Sequence, residues 1–334
     1  MLRGIVKAEQ PDLLYSTGNF ALLGSPVKQL LLVAQPLPFS ALWLKTVYPR
    51  KSLPSRIETH LRRWLICLSA RRADVVMTPT QAMLDDLRRF TKIDPLKTLV
   101  NPFGVVAPRH TGESRDSRAA GCRARNPAHI QLLYVSLYAE HKNLGTLLKA
   151  MPLLNRERPG KFLLTTTVDP AWNGAAWTAT WREDLALARR PDVAPWVRFL
   201  GPLNPEQIQA LYREGDVFVF PSMAESFGFP MPEAMAHGLP IVAADTPANR
   251  EICRDAAVYF NALSADDLAQ KLESLVEDQA LMGRLGAAGF ERARGYFRWE
   301  SHVSRLLEVV QPGTPPDAHS SQKVAAKAQR EGSS

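Results

Sequence analysis

Two glutamates, Glu225 and Glu233, stand with seven residues between them in the segment FVFPSMAESFGFPMPEAMAHGLPIVAA, which covers residues 218–244. The apolar run before them predicts a buried strand ending at Pro221, and a loop that contains glycine follows. A helix is predicted over residues 232–237, so one glutamate lies in the loop and the other in the first helical turn. Because a carboxylate accepts hydrogen bonds and donates none, such a pair suits a ligand that is rich in hydroxyl groups.

The expected place of this loop adds a second property. A loop at the carboxyl end of a parallel strand is where open α/β sheets bind ligands. The N-terminus of the following helix and the backbone N–H groups of the loop form a site for an anion. A ligand that combines hydroxyl groups with phosphate, such as a sugar nucleotide, fits both properties.

Repeated strand and helix patterns are predicted to position this loop. Short apolar runs predict strands at residues 131–135, 161–168, 217–220 and 241–244. Helical spacing and capping residues predict helices at residues 144–154, after Asn204, at 232–237 and at 265–277. Strands that are apolar throughout and alternate with helices indicate a parallel sheet covered on both faces.

The first hundred residues follow a similar but shorter pattern. Strands are predicted at residues 12–15, 29–34 and 74–78, and helices at 2–9, 57–70 and 81–90. Low apolar content around residue 110 and the lack of periodicity beyond residue 312 divide the chain. We expect an N-terminal domain at 1–108, a linker at 109–128, a second domain at 129–295, a further helix at 296–311 and a disordered tail at 312–334.

Several segments resemble one known family. Residues 218–244 resemble the EX7E region of the retaining GT-B glycosyltransferases of family 4, and the triplet HKN stands at the expected place before it. Other segments follow in the order of that family: TPTQAMLDDL (78–87), NPFGV (101–105), YVSLYAEHKNLGTLLKAM (134–151), RFLGPLNPEQIQALYREGDVFVFPS (198–222) and WES (299–301). The resemblance covers roughly residues 10–311 and is strongest from residue 129.

The resemblance implies an α/β fold of the GT-B type, in which two Rossmann-like domains face each other across a cleft. The acceptor side would be residues 1–108 and the nucleotide-sugar side residues 129–295, with the helix at 296–311 crossing back. Such proteins normally begin with a strand and a glycine-rich turn, whereas this chain starts near what would be a later helix. We therefore expect the N-terminal domain to be incomplete.

The resemblance also assigns roles to individual residues. Glu233 would hold the ribose hydroxyls of the donor, and Glu225 would face the donor sugar near the reaction centre. The backbone of Phe227, Gly228 and Phe229 would lie against the diphosphate. Lys142 would neutralise the diphosphate as it leaves, because a fixed cation stabilises the negative charge that builds there.

Structural alternatives exist for two of these residues. Lys142 is also explained as a surface lysine at a helix start. Glu233 is also explained as a favourable charge at a helix N-terminus, which contributes ~0.3–1 kcal/mol. The second effect is compatible with ribose binding.

Two departures from the family pattern concern the expected ligand contacts. Where the family has a Gly-Arg pair before the lysine, this chain has Ser136 and Leu137, so Ser136 stands at a donor-binding position but one phosphate-binding cation is missing. Where many members carry an acceptor-facing histidine, this chain has QPLPFS, and Gln35 and Ser40 are candidates to line the acceptor cleft. The alternative for QPLPFS is a turn made by its two prolines.

Composition limits the cofactors. No Asp-x-Asp triplet occurs, and the three cysteines lie far apart without a CxxC pair. We therefore expect no metal and no other cofactor, with the nucleoside-diphosphate sugar bound as a substrate. The cysteine usage and the lack of a long apolar run predict a cytoplasmic protein.

Charge suggests the partners. Residues 1–108 carry 15 Lys/Arg and 7 Asp/Glu, which accounts for the whole formal charge of +8. The basic, partly apolar segment at residues 50–72 would suit peripheral contact with the inner face of a membrane, where a lipid-linked acceptor would be available. The alternative is an ordinary helix with its apolar face in the core. No nucleic-acid-binding signature is present.

The resemblance implies a retaining hexosyltransferase, and we expect it to act on a saccharide or lipid-linked acceptor in surface polysaccharide or lipopolysaccharide biosynthesis. Two alternatives remain open. A non-catalytic, truncated relic would bind nucleotide or a partner without turnover. A sugar-nucleotide epimerase or hydrolase would need acid and base groups in the N-terminal half, where no convincing set occurs.

Overall fold

The computed structural model describes residues 2–106, 129–171 and 180–310. The described strands are β1 Leu14–Ser16, β2 Gln29–Leu32, β3 Val75–Thr78, β4 Thr98–Val100, β5 Ile130–Tyr134, β6 Phe162–Thr166, β7 Val197–Phe199, β8 Val217–Phe220, β9 Ile241–Ala244 and β10 Ala257–Phe260. The helices are α1 Leu2–Glu9, α2 Ala41–Thr46, α3 Leu53–Arg72, α4 Gln81–Arg88, α5 Leu144–Leu154, α6 Trp181–Ala188, α7 Pro205–Glu214, α8 Pro230–Ala236, α9 Pro247–Cys253, α10 Ala265–Glu277, α11 Gln279–Tyr296 and α12 Trp299–Val310.

The described strands form two sheets, and every pairing within them is parallel. The first sheet has the order β1-β2-β3-β4, and the second has the order β10-β9-β8-β5-β6-β7. Parallel neighbours require crossover connections, and helices supply most of these here. The predicted α/β architecture of two Rossmann-like units is therefore confirmed.

The second sheet is covered on both faces, which explains why its strands are apolar throughout. Leu132 packs in one core with α5, α6 and α10, whereas Leu133 packs in the other with α7, α8 and α9. Successive side chains of a strand point to opposite faces, so a strand between two helical layers needs apolar residues at both parities.

The first sheet is smaller, and the last described helix, α12, covers one of its faces. One face packs against α3 and α4, with Leu31 and Ile66 in that core. The other face packs against α12, whose Val309 contacts Leu30 and Leu32. The helix that contains WES therefore lies on the N-terminal sheet although it follows the second sheet in the sequence.

Residues 101–105 are held against residues 297–302 by hydrogen bonds and close packing. Val105 N donates a hydrogen bond to Phe297 O at 3.0 Å, and Asn101 Nδ2 donates to His302 O at 3.0 Å. A Cβ added to Gly104 would collide with the backbone of Trp299, so this position requires glycine.

Several predicted bounds differ from the structure. The helix after the EX7E loop begins at Pro230 rather than at residue 232, because Gly228 turns the chain earlier. β4, β7 and β10 were not predicted, since they are short and only partly buried and so lack a strong apolar signal. The helix with the Asn204–Gln207 capping box is confirmed.

The predicted domain bounds stay predictions. The linker at 109–128 and the tail at 312–334 lie outside the described residues. The expected shortening of the N-terminal domain is likewise untested.

Candidate active site

The candidate site lies where the strand order of the second sheet reverses. β5 is followed along the chain by β6 on one side, while β8 pairs with β5 on the other side. In open α/β sheets the crevice at such a switch point, beyond the carboxyl ends of the strands, is the usual ligand site. The segment after β5 carries Lys142, and the segment after β8 carries Glu225.

Lys142 and Glu225 form an ion pair in this crevice. Lys142 Nζ lies 2.6 Å from Glu225 Oε1, and the side chains are only 19% and 8% exposed. The ammonium group also lies 5.7 Å from the centre of the Phe220 ring. A pair with so little exposure is screened only weakly by water.

The turn that carries Lys142 is fixed against the EX7E loop. The carbonyl of His141 accepts hydrogen bonds from Met223 N at 2.8 Å and from Ser222 Oγ at 3.1 Å. Asn143, which has a left-handed backbone (φ 58°), donates from Nδ2 to Pro221 O at 3.0 Å. The two loops therefore behave as one unit that sets the Lys142–Glu225 distance.

Glu233 lies in the first turn of α8 and is held by a neighbouring helix. Its Oε2 accepts a hydrogen bond from the hydroxyl of Tyr212 at 2.9 Å. The ring of His237 stacks on Tyr212 at 5.1 Å, and His237 Nδ1 lies 2.8 Å from Glu233 O. Burial raises the pKa of Glu233, and the Tyr212 hydrogen bond opposes that shift.

The stretch between the two glutamates contains one residue, Gly228, in the left-handed backbone region that favours glycine. Gly228 has φ 74°, and a Cβ there would lie 2.8 Å from Met231 Cε and 3.3 Å from the Phe220 ring. Phe227 is buried, and Phe229 stacks on Phe103 with ring centres 5.2 Å apart. Their side chains thus anchor the loop, which leaves the backbone as the part available to a ligand.

Ser136 lies just beyond β5, at the same edge of the sheet. Its backbone N donates to Thr167 Oγ1 at 2.9 Å, and its hydroxyl donates to Leu137 O at 2.8 Å. Leu137 is 76% exposed, so this turn presents an apolar side chain at the position where the family carries a cation.

Gln35 and Ser40 make local contacts in the N-terminal unit. The hydroxyl of Ser40 accepts from Trp43 N at 3.4 Å and caps α2. Gln35 Oε1 accepts from Arg62 Nη1 at 3.4 Å. Among the described residues, neither makes a hydrogen bond to the Lys142–Glu225 pair, and the proposed acceptor role of both stays a prediction.

Three contributors to the site were not recognised from the sequence. Tyr212 anchors Glu233, Asn143 joins the two loops, and the hydroxyl of Thr80 donates to Ser226 O at 2.8 Å from the other unit. His141 is the first residue of the HKN triplet. Burial lowers its pKa to about 4, so its imidazole is neutral at physiological pH. The contacts of Tyr212, Asn143 and Thr80 are made with residues that are distant in the sequence. No local sequence pattern could therefore have predicted them.

Within the described ranges, no group of three or more His, Cys, Asp or Glu side chains is arranged to hold a metal ion. No described helix combines the length and the apolar character required to cross a membrane.

Comparison with known proteins assigns part of the chain to a family. Residues 129–278 match the family described as glycosyl transferases group 1. The chain is 26% identical over 281 residues to the D-inositol 3-phosphate glycosyltransferase of Corynebacterium aurimucosum, covering 82% of this chain and 66% of that protein. It is 28% identical over 177 residues to O-antigen chain mannosyltransferase B of Escherichia coli, and the match covers 53% of this chain and 44% of that protein. The chain thus spans about half to two thirds of the curated relatives it matches.

Solved structures share the fold. Sucrose-phosphate synthase from Thermosynechococcus elongatus has a TM-score of 0.71 at 22% identity, with 92% of this chain and 75% of that chain covered. WaaG, a glycosyltransferase involved in lipopolysaccharide biosynthesis, has a TM-score of 0.68 at 16% identity, with 93% and 81% covered. Anabaena HepE in complex with UDP-glucose has a TM-score of 0.70 at 17% identity, with 92% and 81% covered. The chain therefore has the GT-B fold, and residues 129–278 match the family of glycosyl transferases group 1.

Proposed function

We propose that this protein is a retaining glycosyltransferase of family 4 that moves a hexose from a nucleoside-diphosphate sugar to an acceptor hydroxyl. The observation that carries the proposal is the Lys142–Glu225 pair at 2.6 Å in the switch-point crevice. Glu233, eight positions after Glu225, lies in the first turn of α8. This arrangement offers one cation for a diphosphate and two carboxylates for hydroxyl groups.

In the proposed complex, Glu233 accepts hydrogen bonds from the ribose hydroxyls while Tyr212 keeps its carboxylate oriented. Lys142 turns from its contact with Glu225 towards the diphosphate. Glu225 then accepts hydrogen bonds from the donor sugar. The backbone of residues 227–229 lies along the phosphates, where the positive φ of Gly228 permits close approach.

The proposed transfer breaks the bond between the anomeric carbon and the diphosphate oxygen and forms one between that carbon and the acceptor oxygen. The acceptor proton passes to the leaving diphosphate. Lys142 stabilises the negative charge that grows on this leaving group, which is the largest demand that the reaction makes on the protein. No metal is required in this scheme, so turnover is expected to persist in EDTA.

Two similarities support a role in surface polysaccharide or lipopolysaccharide assembly. One curated relative is an O-antigen chain mannosyltransferase, and one structural neighbour is described as acting in lipopolysaccharide biosynthesis. The acceptor in this proposal is a saccharide or a lipid-linked saccharide.

Donor binding tests the proposal first. Calorimetry with UDP, GDP, ADP and TDP sugars should identify one that binds, and Glu233→Gln should weaken that binding at least tenfold. Glu273→Gln, which changes an exposed carboxylate on α10, is the matched control. If the full chain binds none of these compounds, the proposed function is wrong.

A second candidate function is nucleotide binding without turnover. The exposed Leu137 favours it, because a phosphate-binding cation is absent from that turn. Product analysis with donor and a panel of acceptors separates the two. Binding without any transferred or released sugar would indicate the non-catalytic protein.

We further propose that α3 rests on the inner face of a membrane. Leu53, Ile57, Leu61 and Trp64 are each more than half exposed, and their spacing of four, four and three places them on one stripe of the helix. Exposed arginines, among them Arg56, Arg71 and Arg72, flank this stripe. Such a surface suits the boundary between anionic headgroups and acyl chains.

Flotation with vesicles tests the membrane contact. The full chain should float with anionic vesicles at low salt, and binding should fall in high salt and with neutral vesicles. Trp64→Ala with Leu61→Ala should weaken flotation, whereas Leu96→Ala, an exposed leucine outside α3, should not. Equal binding by all of these proteins would contradict the proposal.

A further inference from the structure

Helix α4 of the N-terminal unit is capped by a carboxylate from the other unit. Glu251, in α9, accepts a hydrogen bond at Oε1 from Gln81 N at 2.7 Å and at Oε2 from Ala82 N at 2.7 Å. These are the first two residues of α4 and have no acceptor within their own helix. The contact therefore joins the two sheets by charge-assisted hydrogen bonds.

The residue that precedes α4 reaches the EX7E loop. The hydroxyl of Thr80 donates to Ser226 O at 2.8 Å and accepts from Met83 N at 3.1 Å. Thr80 is fully buried, and Ser226 directly follows Glu225. A side chain of one unit thus holds a carbonyl of the loop that carries Glu225 in the other unit.

Glu251 is itself held in place. Arg292 of α11 donates from Nε to Ile252 O at 2.6 Å and from Nη2 to Glu251 O at 2.8 Å. Burial raises the pKa of Glu251, while the hydrogen bonds from Ala82 and Gln81 oppose that shift. The carboxylate is thus stabilised by the helix it caps, and separation of the two units would leave both groups without these partners.

We propose that Thr80 and Glu251 are positioning residues for glycosyl transfer, an inference that rests on the proposed function. Glu251 fixes α4 against α9, and α4 carries Thr80 to the carbonyl of Ser226. Opening of the cleft breaks these three hydrogen bonds together and releases the loop that bears Glu225. The geometry needed for transfer is therefore complete only when the two units are closed.

Kinetics of Thr80 variants test the catalytic consequence. Thr80→Val keeps the side-chain shape but loses both the hydrogen bond to Ser226 O and the cap on Met83 N, whereas Thr80→Ser keeps both. We expect kcat to fall about tenfold in Thr80→Val, because one positioning hydrogen bond is lost. Donor KM should change much less, because Glu233 and Lys142 belong to the other unit. Thr80→Ser should restore kcat, and wild-type kcat in Thr80→Val would overturn the proposal.

Amide hydrogen exchange tests the same coupling without any substrate. Residues 222–229 should exchange faster in Thr80→Val and in Glu251→Gln than in the wild type, and at the wild-type rate in Thr80→Ser. Glu273→Gln is the control for the loss of a carboxylate. Unchanged exchange of this loop in both Thr80→Val and Glu251→Gln would overturn the positioning role even if transfer is observed. If the wild type transfers no sugar but the loop responds as expected, the proposed function fails while the coupling stands.

Discussion

At the scale of single residues, the Lys142–Glu225 pair combines its proposed role in transfer with a contribution to stability, and Lys142→Ala should affect both. Lys142→Ala should lower kcat by ~10²–10³, because a fixed cation no longer meets the leaving diphosphate. It should also reduce thermal stability, because Glu225 is only 8% exposed and keeps a charge without its closest cation. Initial rates and thermal unfolding measure the two effects.

Lys149→Ala removes an exposed lysine from α5 and serves as the matched control. Its kcat and melting temperature should stay close to those of the wild type. A Lys142→Ala protein with unchanged kcat would remove Lys142 from the reaction.

The hydroxyl of Tyr212 opposes the rise that burial causes in the pKa of Glu233. Loss of its hydroxyl in Tyr212→Phe removes the hydrogen bond that opposes the burial-raised pKa, so the pKa of Glu233 should rise further. In the proposed complex the ionised carboxylate accepts hydrogen bonds from the ribose hydroxyls. Donor binding should therefore weaken as the pH falls, and this loss should begin at a higher pH in the variant. Near neutral pH, the donor Kd should rise severalfold, as expected for ~1 kcal/mol.

Calorimetric titrations of the donor across the acid range measure this shift. Tyr259→Phe removes a hydroxyl that bonds to Arg254 O elsewhere and should leave the profile unchanged. Superimposable profiles for Tyr212→Phe and the wild type would contradict the assignment.

At the scale of elements, α6 carries a buried carboxylate at a cost in stability. Asp184 accepts a hydrogen bond from the hydroxyl of Tyr138 at 2.8 Å, and burial raises its pKa from 3.8 to about 6. The folded protein therefore binds more protons than the unfolded chain between these values. This group makes stability fall as the pH rises from about 4 through about 6, by at most ~3 kcal/mol.

Asp184→Asn should remove this dependence while its side-chain oxygen still accepts from Tyr138. Urea unfolding at pH 4.5 and pH 7 gives the difference between the variant and the wild type. The free energy of unfolding of the variant, relative to that of the wild type, should be higher at pH 7 than at pH 4.5. An equal difference at both pH values would show that Asp184 does not titrate as proposed.

At the scale of the whole molecule, two ion pairs join the units beside the cleft. Arg50 and Glu183 lie 2.6 Å apart but are 44% and 61% exposed, whereas Lys51 and Glu140 are 12% and 4% exposed. Removing Arg50 should cost ~0–1 kcal/mol, as for surface pairs. Removing Lys51 should cost ~3–5 kcal/mol, because Glu140 would keep a buried charge without this partner.

Chemical unfolding of Arg50→Met and Lys51→Met compares the two pairs. The substitutions are matched because each replaces a long cationic side chain with an unbranched apolar one. Equal free energies of unfolding for the two variants would contradict a burial-dependent contribution.

The sequence alone determined the architecture and the main loop of the site, because both depend on local patterns. Apolar runs such as residues 217–220 and 241–244 predicted strands that are covered on two faces. The spacing from Glu225 to Glu233 placed one carboxylate in the loop and one in the helix, which the structure confirms. Strands that are short and only partly buried, such as β4 and β7, were not predicted.

Only the tertiary structure decided which of these groups meet. Lys142 and Glu225 are 83 residues apart, and Thr80 and Ser226 are 146 apart, yet each pair is joined by a hydrogen bond. Such contacts depend on the order of strands in a sheet and on the approach of one sheet to the other. Side-chain spacing along the chain carries no information about either, so the ion pair, the anchor at Tyr212 and the cap by Glu251 emerge only from the folded molecule.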